Sequence, residues 1–103
     1  MKKSKDPVSE VILKAANLIQ RHGLAKRARR SADGFCVHGA LSAAETGDAE
    51  GFGDLEVEAA KRIHKHLFPR RPFPGGIAEW NNAPERTKKE VVAVLRRVGG
   101  KAE

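Results

Sequence analysis

In four separate stretches of the chain, apolar residues recur at three- and four-residue spacing, the period of a helix that buries one face. The first stretch runs from about Pro7 to His22, with Val8, Val11, Ile12, Ala15, Ala16 and Ile19 on one stripe. Asp6 stands where an N-cap belongs, and Pro7 suits the first helical position, where a missing N–H costs nothing. Gly23 allows the left-handed conformation that closes a helix. The second helix is expected over about Phe35 to Ala44: Cys36, Val37, Ala40, Leu41 and Ala44 share one sector, and Gly39 and Ser42 share another that permits close approach. A third runs from about Asp54 to Leu67, with Leu55, Ala59, Ala60, Ile63 and Leu67 inward and Pro69 as its stop. The last begins at Thr87-Lys88-Lys89-Glu90, a capping box in which threonine and glutamate each satisfy an orphan N–H of the other's region. Val91, Val92, Leu95 and Val98 form its buried stripe, and Gly99-Gly100 is expected to end it.

The intervals read as connections. Leu24–Gly34 fits a basic connection or a frayed turn, with Asp33-Gly34 as the turn before the next element. A short strand over Phe35-Cys36-Val37 competes with the start of the second helix. Thr46–Gly53 is an acidic, glycine-rich loop. Pro69, Pro72 and Pro74 keep the segment up to Gly76 out of helix and central strand, leaving an exposed loop. Ile77–Trp80 fits one helical turn closed by Asn81-Asn82. At 103 residues, with no internal repeat and no interior linker, the chain is expected to be one compact all-α domain of four main helices. Residues 1–6 and 100–103 are expected to be disordered tails. The charged start has no apolar leader core and no run reaches membrane-spanning length, so a cytoplasmic protein is expected.

Charge complicates this picture. The formal net charge is +7, from 20 Lys+Arg and 13 Asp+Glu, but it is divided along the chain. Residues 1–30 carry nine bases and two acids, residues 31–60 carry seven acids and no Lys or Arg, and residues 61–103 carry eleven bases and four acids. Two readings follow: the acidic middle lies against the basic ends, or a basic face stays open to an anionic partner. Candidate partner or phosphate contacts are Lys26, Arg27, Arg29, Arg30, Arg70, Arg71, Lys88 and Lys89. Lys88 and Lys89 oppose the dipole of the helix they begin, which suits an external anion.

Few residues suggest catalysis or metal binding. Cys36 and His38 invite a thiol–imidazole reading, but two residues apart on a helix they diverge, and Cys36 reads as a buried, inert thiol. His64 and His66 diverge for the same reason, with His64 solvent-facing and His66 partly packed, so no zinc site is expected. The acidic loop lacks the glutamate of a calcium-binding loop, since Ala59 stands at its twelfth position. No cofactor is expected. Trp80 reads as a core plug with its indole N–H on a carbonyl, or else as a partner anchor. Asn81 and Asn82 read as satisfying backbone groups in the turn into the capping box.

The amphipathic N-terminal helix, Cys36-Val37-His38-Gly39-Ala40, Ile77-Ala78-Glu79-Trp80-Asn81-Asn82, Arg86-Thr87 and Glu90-Val91 come in an order that resembles a family of small uncharacterised bacterial proteins, mainly actinobacterial, and phage proteins. In that family a Cys-x-x-Gly-Ala segment precedes a Trp-Asn-Asp-like turn, then Arg-Thr and a final amphipathic helix. The resemblance spans roughly residues 8–98; Asn82 stands where the family often has an acid, and the proline-rich loop is distinctive. It implies no activity. It implies that Cys36, Gly39, Ala40, Trp80, Asn81, Thr87 and Glu90 form a structural signature, and it points to a phage or mobile-element origin. Together these features lead us to expect a non-enzymatic helical interaction module with a protein partner; the alternative is a basic accessory protein that binds nucleic acid.

Overall fold

The computed structural model describes residues 6–100, and its first helix forms between the limits that the sequence sets. Helix α1 spans Pro7–His22, and the Asp6 carboxylate accepts the Ser9 N–H at 2.9 Å. That hydrogen bond, with Arg62 at 3.0 Å, holds the Asp6 carboxyl below the usual carboxylate range. The expected stripe of α1 is fully inward, and α1 is the central helix, packed against three of the four helices that follow.

Four more helices follow: α2 (Val37–Thr46), α3 (Asp54–Leu67), α4 (Ile77–Asn82) and α5 (Lys88–Gly100). The count is therefore five rather than four, because the turn at Ile77 continues through both asparagines. The capping box forms as read: Glu90 Oε1 accepts the Thr87 N–H at 3.0 Å and Thr87 Oγ1 accepts the Glu90 N–H at 3.2 Å. Helix α5 then runs back along α1, with Lys88 Nζ donating to Gln20 O at 3.2 Å and Arg96 donating to Asn17 Oδ1 at 3.2 Å. Gly99 and Gly100 lie inside α5 instead of ending it. Gly99 serves packing: a Cβ there would stand 2.8 Å from the Leu13 side chain on α1. The expected tails correspond to residues 1–5 and 101–103, which lie outside the described residues, while Asp6 and Gly100 are ordered parts of the helical frame.

The all-α expectation needs one correction. Strands β1 (Arg30–Ser31) and β2 (Gly34–Phe35) pair antiparallel, Arg30 opposite Phe35 and Ser31 opposite Gly34, around the Ala32-Asp33 turn. Leu24 bridges to Phe35 on the other side. Phe35 is therefore strand, and α2 begins two residues later than its apolar pattern suggests. Two-residue strands are too short to show the alternation by which a strand is read. What makes this sheet possible is backbone touching backbone. Gly23 and Gly34 have φ of +108° and +131°, and a Cβ on Gly34 would stand 2.0 Å from Gly23 O. Only glycine fits both the conformation and the contact.

The core draws Ile12, Ala16 and Ile19 from α1, Leu41 from α2, Ile63 from α3 and Leu95 from α5, closed at one side by Phe35 and Ile77. No helix among the described residues is long and apolar enough to cross a membrane. Residues 69–75 are exposed, as the prolines require. His64 corrects the outward placement read from periodicity: it is 3% exposed, because Phe68 and Phe73 of the following loop fold back onto its ring at 5.5 Å each.

The small-residue sector of α2 meets the backbone of the basic connection, since a Cβ on Gly39 would fall 1.9 Å from Arg29 O. No flexible atom is there to move aside. Gly39→Ala is expected to destabilise the fold by about 3 kcal/mol or more. Gly100→Ala, with open space around it, is expected to change stability by less than about 1 kcal/mol. Urea unfolding of the two variants checks this contrast.

Candidate functional site

Arg29 sits in a run of bases, yet its side chain turns inward. Its Nη2 reaches both carboxylate oxygens of Glu56 at 2.9 and 3.0 Å and His38 O at 3.3 Å, while Nε donates to Ala49 O at 2.6 Å. The Phe52 ring lies on the guanidinium, 4.1 Å from its Cζ. Glu56 is buried on the first turns of α3 and Arg29 is half-buried, so the pair is largely withdrawn from water. Arg29 thus stands apart from the other expected phosphate contacts: its Nε and Nη2 donors are used inside the molecule.

A second polar side chain fixes the neighbouring wall. Asn81 is fully buried on α4; its Oδ1 accepts the Val37 N–H at 3.0 Å and its Nδ2 donates to Ala25 O at 3.0 Å and Asn82 Oδ1 at 3.1 Å. Asn82 Oδ1 accepts the Arg27 N–H at 2.8 Å. Both asparagines therefore tie distant segments to α4 instead of closing the local turn read from sequence.

Between these walls lies a cleft of about 310 Å³ lined by Arg27, Arg29, Cys36, Val37, His38, Ala78, Asn81 and Asn82 among others. Cys36 is half-buried and is the N-cap of α2, its Sγ accepting the Gly39 N–H at 3.3 Å. This corrects the buried helix-interior thiol. His38 lines the same cleft, with Nδ1 3.6 Å from Glu56 Oε2. Burial pushes the His38 imidazolium down in pKa, Glu56 opposes that shift, and Arg29 adds to it. Thiol and imidazole each already have a partner inside the fold. Among the described residues no group of three or more His, Cys, Asp or Glu is placed to hold a metal.

The remaining expected contacts separate into two places. Arg70 and Arg71 lie on the exposed loop after α3, where Arg71 approaches Glu79 at 4.0 Å and the Phe68 ring at 5.0 Å. Lys26, Arg27 and Arg30 lie near the C-terminal end of α1, where α5 begins with Lys88 and Lys89. Lys26 Nζ donates to Ala83 O at 2.5 Å, and Arg30 lies over the Phe35 ring at 5.1 Å. Sequence reasoning missed Arg21 and His22 at this end; their place in the last turn of α1 was the available signal. It also missed Phe52 and Glu56, whose only signal is the contrast of one aromatic with acidic neighbours. Trp80 is half-buried rather than a sealed plug: Arg86 lies over its ring at 4.5 Å and donates to Trp80 O at 2.9 Å.

Asn81→Ala strands a buried N–H at Val37 and a buried carbonyl at Ala25, and is expected to cost about 2–4 kcal/mol in denaturant unfolding. His38 is a pH-sensitive group. Its folded pKa lies below the ordinary 6.5, so below that pH the unfolded chain binds a proton that the folded one refuses. Stability is therefore expected to fall as pH drops through about 6.5, and His38→Gln is expected to flatten that decline when unfolding midpoints are measured from pH 7.5 to 5.

Neither the curated proteins nor the solved structures contain a match to this chain. A family model does match, over residues 3–100, which takes in every helix, the hairpin and both walls of the cleft. The chain belongs to that family, described as a family of unknown function, DUF6197.

Proposed function

We propose that the chain is a small, non-enzymatic interaction module whose partner is a protein met in the cytoplasm. Phe52 carries this reading. Its side chain is 65% exposed, the most exposed of the large hydrophobic residues, in a backbone conformation with φ of +51°. Such a conformation is costly for a residue with a bulky side chain and persists where the surroundings impose it. Here the Phe52 N–H donates to Ser42 Oγ at 2.9 Å, Ser42 Oγ donates to Asp48 O at 2.8 Å, and the ring rests on Arg29.

The result is an aromatic side chain held in place before any partner arrives, which reduces the ordering cost of association. Val57, 55% exposed, follows Glu56 on α3. Exposed carboxylates at Asp48, Glu50 and Asp54 flank Phe52 in the chain and suit a partner with an apolar pocket and a basic rim. The absence of catalysis in this reading rests on Cys36, whose Sγ caps α2, and on His38, whose Nδ1 faces Glu56. On the motif resemblance, we place the module among proteins of phage or mobile-element origin.

The test is a quantitative pull-down from host lysate with the wild-type chain and Phe52→Ala. A specific protein should be retained by the wild type, with retention at least about tenfold lower for the variant, as for an interface hot spot. Phe52→Ala gives up the contact with Arg29 and should lower stability by only about 0.5–1 kcal/mol, leaving it folded by circular dichroism. Recovery of nothing above background, or equal retention by the two chains, would overturn the reading.

A further inference from the structure

The basic residues at the C-terminal end of α1 form a surface that the acidic third of the chain leaves open. Four links gather it. Lys88 reaches back to Gln20 O, next to Arg21. His22 meets the edge of Phe35 at 5.7 Å, and Arg30 covers the same ring. Lys26 bonds Ala83 O and Pro84 O, just ahead of α5. The Arg27 N–H is fixed on Asn82.

The acidic residues of 45–58 are committed elsewhere. The Glu45 carboxylate accepts the Leu55 N–H at 2.9 Å, Asp48 Oδ1 accepts the Glu50 N–H, and Glu56 holds Arg29. Among the described residues no carboxylate pairs with Arg21, Lys26, Arg27, Arg30 or Lys88. The exposed acids near these segments in the chain are Asp33, Glu85 and Glu90, and Glu90 is turned to Arg86 and Thr87, so the surface keeps a positive excess.

Part of this charge has an internal reason, since Arg21, His22 and Lys88 complement the negative end of the α1 dipole. That reason does not extend to Arg27 or Arg30. Arg27 holds a left-handed backbone with φ of +66°, where glycine or asparagine would be less strained, and its side chain is exposed.

We propose that this surface binds the phosphate backbone of duplex nucleic acid without reading its sequence. Unpaired guanidinium and ammonium groups on several segments match a repeating array of phosphates. Single strands are less suited, because the phenyl ring here, Phe35, is 4% exposed beneath Arg30 and offers no face for stacking, which leaves the small His22 imidazole as the exposed ring. An anionic membrane is less suited too: the large exposed apolar residues among those described, Phe52, Val57 and Phe73, belong to other segments. The surface does not use Phe52, so this proposal and the protein-partner reading can fail separately.

Fluorescence anisotropy of the whole chain with a labelled 20-base-pair duplex tests it. Two unrelated sequences should bind equally, with affinity falling about a hundredfold between 50 and 200 mM salt, as for roughly four neutralised phosphates. The triple variant Arg21→Glu, Arg27→Glu, Arg30→Glu should bind at least about tenfold more weakly. The triple Lys61→Glu, Lys65→Glu, Arg70→Glu, which changes net charge equally on α3 and its loop, should stay within about threefold of wild type. If the first triple fails to fold, glutamine at the same three positions should give a smaller loss in the same direction. No binding at about 150 mM salt, equal loss in both triples, or equally tight binding of poly-glutamate or anionic vesicles would overturn the proposal.

Discussion

The pair between half-buried Arg29 and buried Glu56 is the interaction on which the placement of the loops depends. A guanidinium in the interior must be matched by a carboxylate and by enough acceptors to use its donors; otherwise the cost of leaving water is not recovered. Arg29 meets that demand with partners from α2, the acidic loop and α3. Its own carbonyl accepts the Cys36 N–H at 3.2 Å at the head of α2. Four segments are thereby tied together at one residue. The division of charge along the sequence acquires a structural meaning from this. The acidic third supplies the counter-charge for one inward arginine and caps α3 through Glu45, and it leaves the other bases of the run outside.

Asn81 performs the corresponding task on the other side of the cleft. Helix α4 has six residues, too few to be stable by itself, and it is held by hydrogen bonds from Asn81 to Val37 and Ala25. The cleft is thus framed by polar anchors. Its rigidity comes from specific hydrogen bonds with little tolerance for substitution, while the apolar core beneath is formed by the helix stripes.

What the sequence revealed follows the range of the interactions involved. Helix α1, α3 and the capping box of α5 depend on residues within one or two turns, and each was legible from spacing and caps. The start of α2 was not. Phe35 and Cys36 continue the apolar stripe, and only the pairing of Phe35 with Arg30 and Leu24 takes them out of the helix. Gly99 reads locally as a helix end, yet it is a contact with Leu13 on another helix. His64 reads as an outward residue until the loop carrying Phe68 and Phe73 folds over it. Within Lys26–Arg30 nothing local distinguishes the arginine that turns inward, because its partner Glu56 lies 27 positions away. The candidate site was legible only as a set of bases; the structure divides that set.

The same distinction bears on what family membership conveys. The motif positions read from the sequence have structural work in this chain: Cys36 caps α2, Gly39 admits the Arg29 backbone, Ala40 is buried and Asn81 bridges two segments. Thr87 and Glu90 cap α5, and Trp80 receives Arg86. Residues with such tasks define a scaffold and its cleft, and they would be needed whatever the scaffold binds. Phe52, Arg27 and Arg30 lie outside the signature and carry their side chains at the surface. Two of them, Phe52 and Arg27, hold positive φ without being glycine. At both positions a hydrogen bond holds the backbone, Phe52 N–H to Ser42 Oγ and Arg27 N–H to Asn82 Oδ1, so an exposed aromatic and an exposed arginine are presented in fixed places, and that is the physical ground for seeking the partner at these positions rather than at the motifs.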